Sequence, residues 1–309
     1  MATGAPAIGE SYTTSCGSKP HQPEDARHRR SIRLSRTRWA GSIGGMGIPV
    51  DPMRPVDGPV PRGDGWVAQP KLDGWRAIVD GRGTRATIWS RHGTDLTGRF
   101  GPVVDDLAES GLLLDGELVV FGSDGRPVFH QLSARRPTGR LAFVAFDVLA
   151  VNGEWTTDLP LTDRLGLLDR ADLPDRIDRA VTGPPAAMWD AVRDAGLEGI
   201  VSKRTGSRYL PGRRSASWRR TKNWTESHYA LTGVSRDGAG RPDALLIRRS
   251  GSSRTVRVEL GLTWELRSQL AAAVPPGATL DGSIRVVIRH HGPATTPRDA
   301  HFVGFALTD

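Results

Sequence analysis

The organisation of this 309-residue chain is inferred outward from Gln69-Pro70-Lys71-Leu72-Asp73-Gly74-Trp75-Arg76. Residues 65–68 before it resemble a short strand, and residues 76–80 after it alternate between polar and apolar as a second strand does. Lys71 is therefore predicted on a turn between two strands. A lysine amine becomes a nucleophile when it loses its proton, and burial or nearby cations lower its pKa towards that state. Taken alone, the spacing favours an ordinary solvated loop lysine.

The pattern Lys-x-Asp-Gly-x-Arg resembles the nucleotidyltransferase signature of ATP-dependent DNA ligases, RNA ligases and mRNA capping enzymes. In that superfamily the lysine attacks the α-phosphate of a nucleoside triphosphate and carries the nucleotide as a phosphoramidate. The resemblance makes Lys71 the catalytic nucleophile and places Arg76 on the ribose. Five further segments follow in the order of the superfamily, so the resemblance covers residues 60–309.

The next two segments supply one cation and one acid. In ligases a Ser-Arg pair such as Ser90-Arg91 brings the arginine towards the 5′-phosphate of a nick, whereas the residues alone indicate only a cation at a strand end. Residues 112–121 form an apolar strand interrupted by Asp-Gly-Glu, which is costly unless the carboxylates face a site or find partners. A β-bulge would also explain it. The resemblance places Glu117 beside the ribose and the metal path.

Two later strands add an aromatic residue and a second acid. Residues 141–149 form an apolar strand, in which composition makes Phe146 a core residue and the resemblance stacks its ring on adenine. The role of Asp147 is left open. Leu197–Lys203 resembles the Glu-Gly-Ile-Val-x-Lys motif. Because a carboxylate at the mouth of a strand suits Mg²⁺, Glu198 is the predicted metal ligand.

The last motif of the catalytic domain departs from the usual pattern. Alternation along the strand at residues 217–224 directs Arg220 and Lys222 to one side, and the resemblance brings both to the α-phosphate as catalytic residues. Arg220 replaces the usual lysine by a planar, forked cation. Gln69 stands where many DNA ligases have glutamate, yet its carbonyl oxygen can still accept a hydrogen bond from the adenine amino group.

The end of the chain is the weakest match. Residues 298–304 look like the family's closing segment, but the Arg-x-Asp-Lys expected next is absent, and Phe305-Ala306 stands near that place. In the family this arginine orients the pyrophosphate during self-adenylation. We expect slow charging with ATP, a substitute cation such as Arg298, or loss of the first step.

Composition and patterning predict an α+β protein with two domains. The net charge of +8, with a sequence pI near 10.4, favours an acidic polymer as partner. Residues 49–225 are predicted as an adenylation (nucleotidyltransferase) domain of antiparallel sheets with flanking helices. Residues 226–309 show five short strands with a helix before the fourth, which suits an OB-fold barrel that binds nucleic acid.

Residues 1–48 lack apolar periodicity and carry a basic run, Arg27-His28-Arg29-Arg30, so we expect this tail to be disordered. It is either a basic arm on DNA phosphates or, as we favour, a mis-started extension, with Met46 or Met53 near the organised region. Cys16 is the sole cysteine, which leaves no disulfide or cysteine zinc site within one chain and argues against NAD-dependent ligases. Without a signal-peptide core or a membrane span, the chain is expected in the cytoplasm, associated with the nucleoid.

The resemblance thus predicts a small bacterial repair-type ATP-dependent DNA ligase. It would be a monomer that uses ATP and Mg²⁺ (or Mn²⁺) to seal nicked double-stranded DNA through a lysyl-AMP intermediate, with Ku among its suggested repair partners. An RNA ligase or GTP-using capping-type transferase would share the lysine chemistry. A nicked-DNA-binding protein with a decayed site is the third hypothesis.

Overall fold

A computed structural model describes residues 48–292, 294 and 297–306 of the chain. The predictions for the basic tail and for Cys16 therefore lie outside the described residues. The chain divides into two compact units between Lys222 and Asn223, whereas the sequence-based boundary lies at 225/226. Over the described ranges, no helix is long and apolar enough to cross a membrane.

The first unit is built from two β-sheets and flanking helices. Its elements are β1 (Arg54–Asp57), β2 (Trp66–Pro70), β3 (Trp75–Asp80), β4 (Thr87–Ser90), α1 (Thr97–Val104), β5 (Leu112–Phe121), β6 (Arg140–Val151), β7 (Glu154–Trp155), α2 (Leu161–Arg170), β8 (Ile177–Arg179), α3 (Pro185–Asp194), β9 (Gly199–Arg204) and β10 (Arg214–Lys222). Short 3₁₀ turns occupy Asp105–Leu107 and Phe129–Ser133.

The sheets confirm the predicted fold class. One has the strand order β1-β10-β9-β2 and the other β4-β3-β5-β6-β7, with β8 beside β6. Antiparallel pairing predominates, and β1 and β8 add parallel pairs with β10 and β6. The β8 pair follows from its connection, because α2 carries the chain back across the sheet before β8 begins.

The chain crosses from one sheet to the other at the turn that holds Lys71. The strand before it, β2, belongs to the four-stranded sheet, and the strand after it, β3, belongs to the larger one. Gly74 is required in this turn because a Cβ there would overlap the carbonyl oxygen of Leu118. Buried side chains such as Ala68, Val144 and Ile200 join the two sheets in one apolar cluster. The lysine turn is thereby fixed between two packed layers.

The helices cover the sheets. Apolar residues at helical spacing predict helices over 161–171 and 185–196, and α2 and α3 occupy these segments. The spacing of Val103, Val104 and Leu107 predicts a further helix over 102–111. The observed helix instead begins at Thr97, where the Asp95 carboxylate accepts a hydrogen bond from the Thr97 amide. It ends at Val104 in a 3₁₀ turn that still buries Leu107, so the apolar spacing was correct and the start of the helix was not.

The second unit has the strand connectivity of an OB-fold. Its elements are β11 (Thr225–Arg236), β12 (Pro242–Arg248), β13 (Thr255–Val258), α4 (Trp264–Ala273), β14 (Arg285–His291) and β15 (Arg298–Phe305). The order β13-β12-β11-β14-β15 is antiparallel throughout. Leu260 pairs in parallel with His301, and the Phe302 amide donates to the Leu260 carbonyl at 2.9 Å. These contacts bring the first and last strands of the order together, which closes the barrel.

Candidate active site

A cavity of about 860 Å³ in the first unit collects most of the residues predicted from sequence. Side chains of both sheets line it. Its lining includes Gln69, Lys71, Arg76, Arg91, Glu117, Phe146 and Arg220. Positions up to 151 residues apart in the chain therefore meet in one space, whose size suits a nucleotide.

Lys71 and Glu198 form an ion pair at this cavity. The Lys71 Nζ donates to Glu198 Oε2 at 2.7 Å, and the Lys71 amide donates to the Gly199 carbonyl at 2.8 Å. The candidate nucleophile is therefore fixed to the candidate metal ligand through both its side chain and its backbone. Nucleophilic attack by Lys71 requires its amine to leave this ion pair.

Glu117 lies half-buried on β5, close enough to Lys71, Arg76 and Glu198 for their charges to act on it. Burial raises the pKa of the Glu117 carboxyl to about 7, against the opposing pull of Lys71 and Arg76. Two acids thus share the region around one lysine amine. Carboxylate oxygens are the ligands that Mg²⁺ prefers, so the donor set formed by Glu117 and Glu198 fits this ion.

Arg76 is held by a buried network that the sequence did not reveal. Its guanidinium donates to both oxygens of Asp115, at 3.0 and 2.6 Å. The Tyr209 hydroxyl donates to Asp115 at 2.7 Å and accepts from the Met53 amide at 3.0 Å. The interruption of β5 by a buried acid was a signal for Asp115, whereas Tyr209 had none. Together they fix the orientation of the residue predicted to contact ribose.

Tyr209→Phe is expected to weaken this network without removing the ion pair. Because Asp115 loses a buried hydrogen bond, we expect the free energy of unfolding to fall by about 1–2 kcal/mol. The KM for ATP should rise more than kcat falls, since Arg76 is predicted to contact the nucleotide and not to react. Urea titration and initial-rate kinetics measure the two effects. A fall in stability with an unchanged KM would show that Tyr209 only supports the fold.

Lys203 is a buried lysine to which sequence analysis assigned no role, although it ends the Glu-Gly-Ile-Val-x-Lys pattern. It is 1% exposed, and its Nζ donates to the Phe146 carbonyl at 3.1 Å. The same nitrogen lies 4.4 Å from the Phe146 ring centroid and 4.1 Å from that of Trp218. Burial lowers its pKa to about 7, opposed by the charges of Asp147 and Asp115.

The pKa of Lys203 predicts a pH-dependent cost. In the unfolded chain a lysine titrates near 10.5, so the unfolded state binds more protons between pH 7 and pH 10.5. The loss of folding stability caused by burying the charged Lys203 amine is thus complete below pH 7 and disappears above pH 10.5. We expect Lys203→Met to be more stable than the wild type by about 1–4 kcal/mol at pH 6.5, with a smaller difference at pH 9.5. Parallel urea-midpoint curves across this range would contradict the assignment.

Gln69 and Phe146 form the apolar side of the cavity. The Gln69 side chain is buried, and its Nε2 donates to Thr182 Oγ1 at 3.0 Å and to the Phe146 carbonyl at 3.5 Å. These two acceptors fix the orientation of the amide, because only its nitrogen can donate. The amide oxygen remains an acceptor for a ligand. The Phe146 ring packs edge to face on Trp218 at 6.1 Å.

Asp147 does not belong to the cavity. Its carboxylate accepts from Arg164 at 2.7 and 2.9 Å, and both side chains are 0% exposed. Arg164 Nη1 also donates to the carbonyls of Leu159 and Ser207. The role left open by the sequence is therefore structural, since this pair ties β6 to α2 directly behind Phe146.

Of the remaining predicted cations, Arg91 and Arg220 line the cavity, whereas Lys222 does not. Arg220 donates to both oxygens of Asp57, at 2.7 and 2.9 Å. That hydrogen-bonded pair, with the charge of Lys222, lowers the pKa of the Asp57 carboxyl. The charges of Arg220 and Lys222 therefore both act on Asp57. The Arg220 guanidinium is also hydrogen-bonded to this carboxylate. Arg91 is exposed on the cavity wall and donates to His92 Nε2 at 2.8 Å.

Comparison with known proteins matches this architecture. The family model described as the ATP dependent DNA ligase domain covers residues 59–222. The multifunctional non-homologous end joining protein LigD of Mycolicibacterium smegmatis is 34% identical over 189 residues, which are 58% of this chain and 24% of that protein. A probable DNA ligase of Mycobacterium marinum is 37% identical over 180 residues, covering 52% of this chain and 35% of the relative. The chain thus spans about a quarter to a third of the curated relatives it matches.

Solved structures match over a larger share of the chain. The ligase domain of M. tuberculosis LigD is 27% identical with a TM-score of 0.54, over 83% of this chain and 95% of that domain. A Lig E DNA ligase reaches a TM-score of 0.60 over 83% of this chain and all of the other, but at 16% identity it shows the shared fold alone. Because the family model covers more than half of the 309 residues, the chain belongs to the ATP-dependent DNA ligase domain family.

Proposed function

We propose that this protein is an ATP-dependent DNA ligase that seals nicks through a lysyl-AMP intermediate. The observation that carries the proposal is the 2.7 Å contact between Lys71 and Glu198 at a nucleotide-sized cavity. The Lys71 and Glu198 side chains are 24% and 10% exposed, so this pair does not fit a solvated turn lysine. The family membership supplies the reaction class.

In the first step the Lys71 Nζ attacks the α-phosphorus of ATP. A phosphorus–nitrogen bond forms, the bond between the α-phosphorus and the bridging oxygen breaks, and pyrophosphate leaves. The lysine must first give up a proton, which Glu198 is placed to accept at 2.7 Å. Arg220 is suited to oppose charge on the phosphate oxygens once its fork leaves Asp57, which is exposed.

Three residues support selection of adenine. The Phe146 ring offers an apolar surface for stacking. The Gln69 amide oxygen accepts from a donor such as the adenine amino group, where guanine presents a carbonyl oxygen instead. Lys203 Nζ donates to the Phe146 carbonyl and so fixes the strand that carries this ring. Because the Gln69 oxygen accepts where adenine donates, the site is proposed to favour ATP over GTP.

Mg²⁺ is proposed as the required metal. Glu198 would hold it, with Glu117 nearby, and the bound ion would supply positive charge to the phosphate oxygens. Its arrival would also compete with Lys71 for the Glu198 carboxylate.

The later steps use the DNA. AMP passes from Lys71 to the 5′-phosphate of a nick, which breaks the phosphorus–nitrogen bond. The 3′-hydroxyl then attacks that phosphate, loses its proton and displaces AMP. Arg91, exposed on the wall of the cavity, is proposed to bind the 5′-phosphate.

The biological setting is proposed from the relatives. Proteins named for non-homologous end joining share this domain, which favours a role in joining broken bacterial DNA. The enzyme is further proposed to act as a monomer in the cytoplasm, at the nucleoid. Ku is the proposed protein partner. Failure of purified Ku to retain the protein on DNA ends would contradict that association.

Sealing of a labelled nicked duplex tests the proposed activity. We expect ligation of a DNA nick with ATP and Mg²⁺, little ligation with GTP, and none after chelation of the metal. A matched duplex with an RNA strand at the nick separates DNA from RNA ligation. Binding of the nick without sealing, and without any covalent AMP, would favour a binding protein with a decayed site.

A further inference from the structure

The hairpin between β12 and β13 in the second unit carries a cluster of exposed arginines. Its sequence is Arg248-Arg249-Ser250-Gly251-Ser252-Ser253-Arg254. The three arginines are exposed. The turn is fixed by hydrogen bonds from the Ser252 amide to the Arg249 carbonyl and from the Arg254 amide to the Ser252 hydroxyl, both 3.1 Å long. The hairpin therefore presents three guanidiniums from a defined turn.

In the part of the second unit that the structure describes, five other arginines donate to carboxylates or to backbone carbonyls, and the three hairpin arginines do not. Arg257 donates to Asp243 and Glu259, Arg241 to Asp237, Arg289 to Glu226, Arg236 to Gly240 and Val274, and Arg267 to Pro242 and Leu262. Among the described residues, the side chains of Arg248, Arg249 and Arg254 form no hydrogen bond or ion pair. Their charge is left for a ligand.

Three like charges within seven residues repel one another, so the arrangement gains nothing for the stability of the barrel. Beside an anionic polymer the same charges are attracted and not repelled, and each guanidinium can donate a bidentate pair of hydrogen bonds to a phosphate. The exposed hydroxyls of Ser250 and Ser253 add donors of the kind that contact phosphate oxygens. The hairpin has no Asn or Gln to read adenine and no Asp or Glu to read cytosine, and arginine contacts to phosphates carry no sequence information.

We propose that the β12–β13 hairpin binds the phosphodiester backbone of duplex DNA without reading its sequence. This inference rests on the proposed function for the class of substrate. The hairpin then contributes up to three phosphate contacts to DNA binding by the barrel. These contacts increase affinity and its dependence on salt, whereas the chemistry stays at Lys71.

The test compares two triple variants of the full chain. Arg248→Gln/Arg249→Gln/Arg254→Gln removes the hairpin charges. Arg126→Gln/Arg241→Gln/Arg289→Gln removes the same total charge from arginines that already face carboxylates. Anisotropy titration of a nicked duplex at several salt concentrations gives log Kd against log salt. The slope for the hairpin variant should be smaller by roughly 2–3, at about 0.9 per phosphate contact, and that of the control should match the wild type.

Equal slopes for the hairpin variant and the control would overturn the proposal, as would a wild type that does not bind duplex DNA. A polyglutamate peptide is titrated in parallel. If the hairpin variant loses binding to this peptide but not to duplex DNA, the hairpin binds an acidic protein, and the proposal is also overturned. Thermal unfolding shows whether the variants fold. Transfer of AMP from ATP to the wild type needs no DNA, so its failure would count against the proposed function and not against the hairpin.

Discussion

Lys71→Ala is expected to abolish the transfer of AMP from ATP to the protein, a loss of roughly a thousandfold or more. The amine that forms the phosphorus–nitrogen bond is then absent. Transfer of label from α-³²P-ATP in Mg²⁺ measures this directly, with excess GTP as competitor. Label on the alanine variant would show that Lys71 is not the nucleophile.

Two controls separate the chemistry of Lys71 from its ion pair. Lys71→Arg keeps a cation beside Glu198 but offers no nucleophile, so it should fold like the wild type and remain unlabelled. A nick that already carries AMP on its 5′-phosphate bypasses the first step. We expect Lys71→Ala to seal this substrate at a measurable rate, because the later steps do not require the amine as a nucleophile.

Asp147→Ala is expected to have the largest effect on stability, lowering the free energy of unfolding by about 3–5 kcal/mol. The substitution leaves the Arg164 guanidinium, which is 0% exposed, without its carboxylate. Its hydrogen bonds to two backbone carbonyls satisfy part of its donors but not its charge. Urea unfolding followed by tryptophan fluorescence gives the value.

The matched control is Asp124→Ala, which breaks an ion pair of two exposed side chains at 3.9 Å. We expect it to change stability by less than about 1 kcal/mol. Replacing both buried partners, as Asp147→Leu with Arg164→Met, should recover most of the loss, since an apolar pair of similar size avoids the desolvation cost. Similar losses for the two alanine variants would contradict a buried-charge role for Asp147.

The elements with local signals were predictable from sequence. Apolar spacing located α2 and α3, and alternation located the strands of the barrel, because these patterns depend on residues a few positions apart. The resemblance ordered Lys71, Glu117, Phe146 and Arg220 around one site, and the structure brings them to one cavity.

The contacts that orient these residues were not predictable. Tyr209 meets the Met53 amide across 156 positions, and Arg220 meets Asp57 across 163. Neither pair leaves a periodic or motif-like trace in the sequence. Lys203 ended a recognised motif, but an exposed and a buried lysine look alike until the rings of Phe146 and Trp218 are placed around it.

The most direct measurement is the intact mass of the protein after incubation with ATP and Mg²⁺, followed by peptide mapping of any adduct. We expect the mass to rise by one AMP, carried on the peptide that contains Lys71, and to return to its starting value when pyrophosphate or a nicked duplex is added. An adduct on another residue, or none on a protein that nevertheless seals nicks, would contradict the lysyl-AMP mechanism.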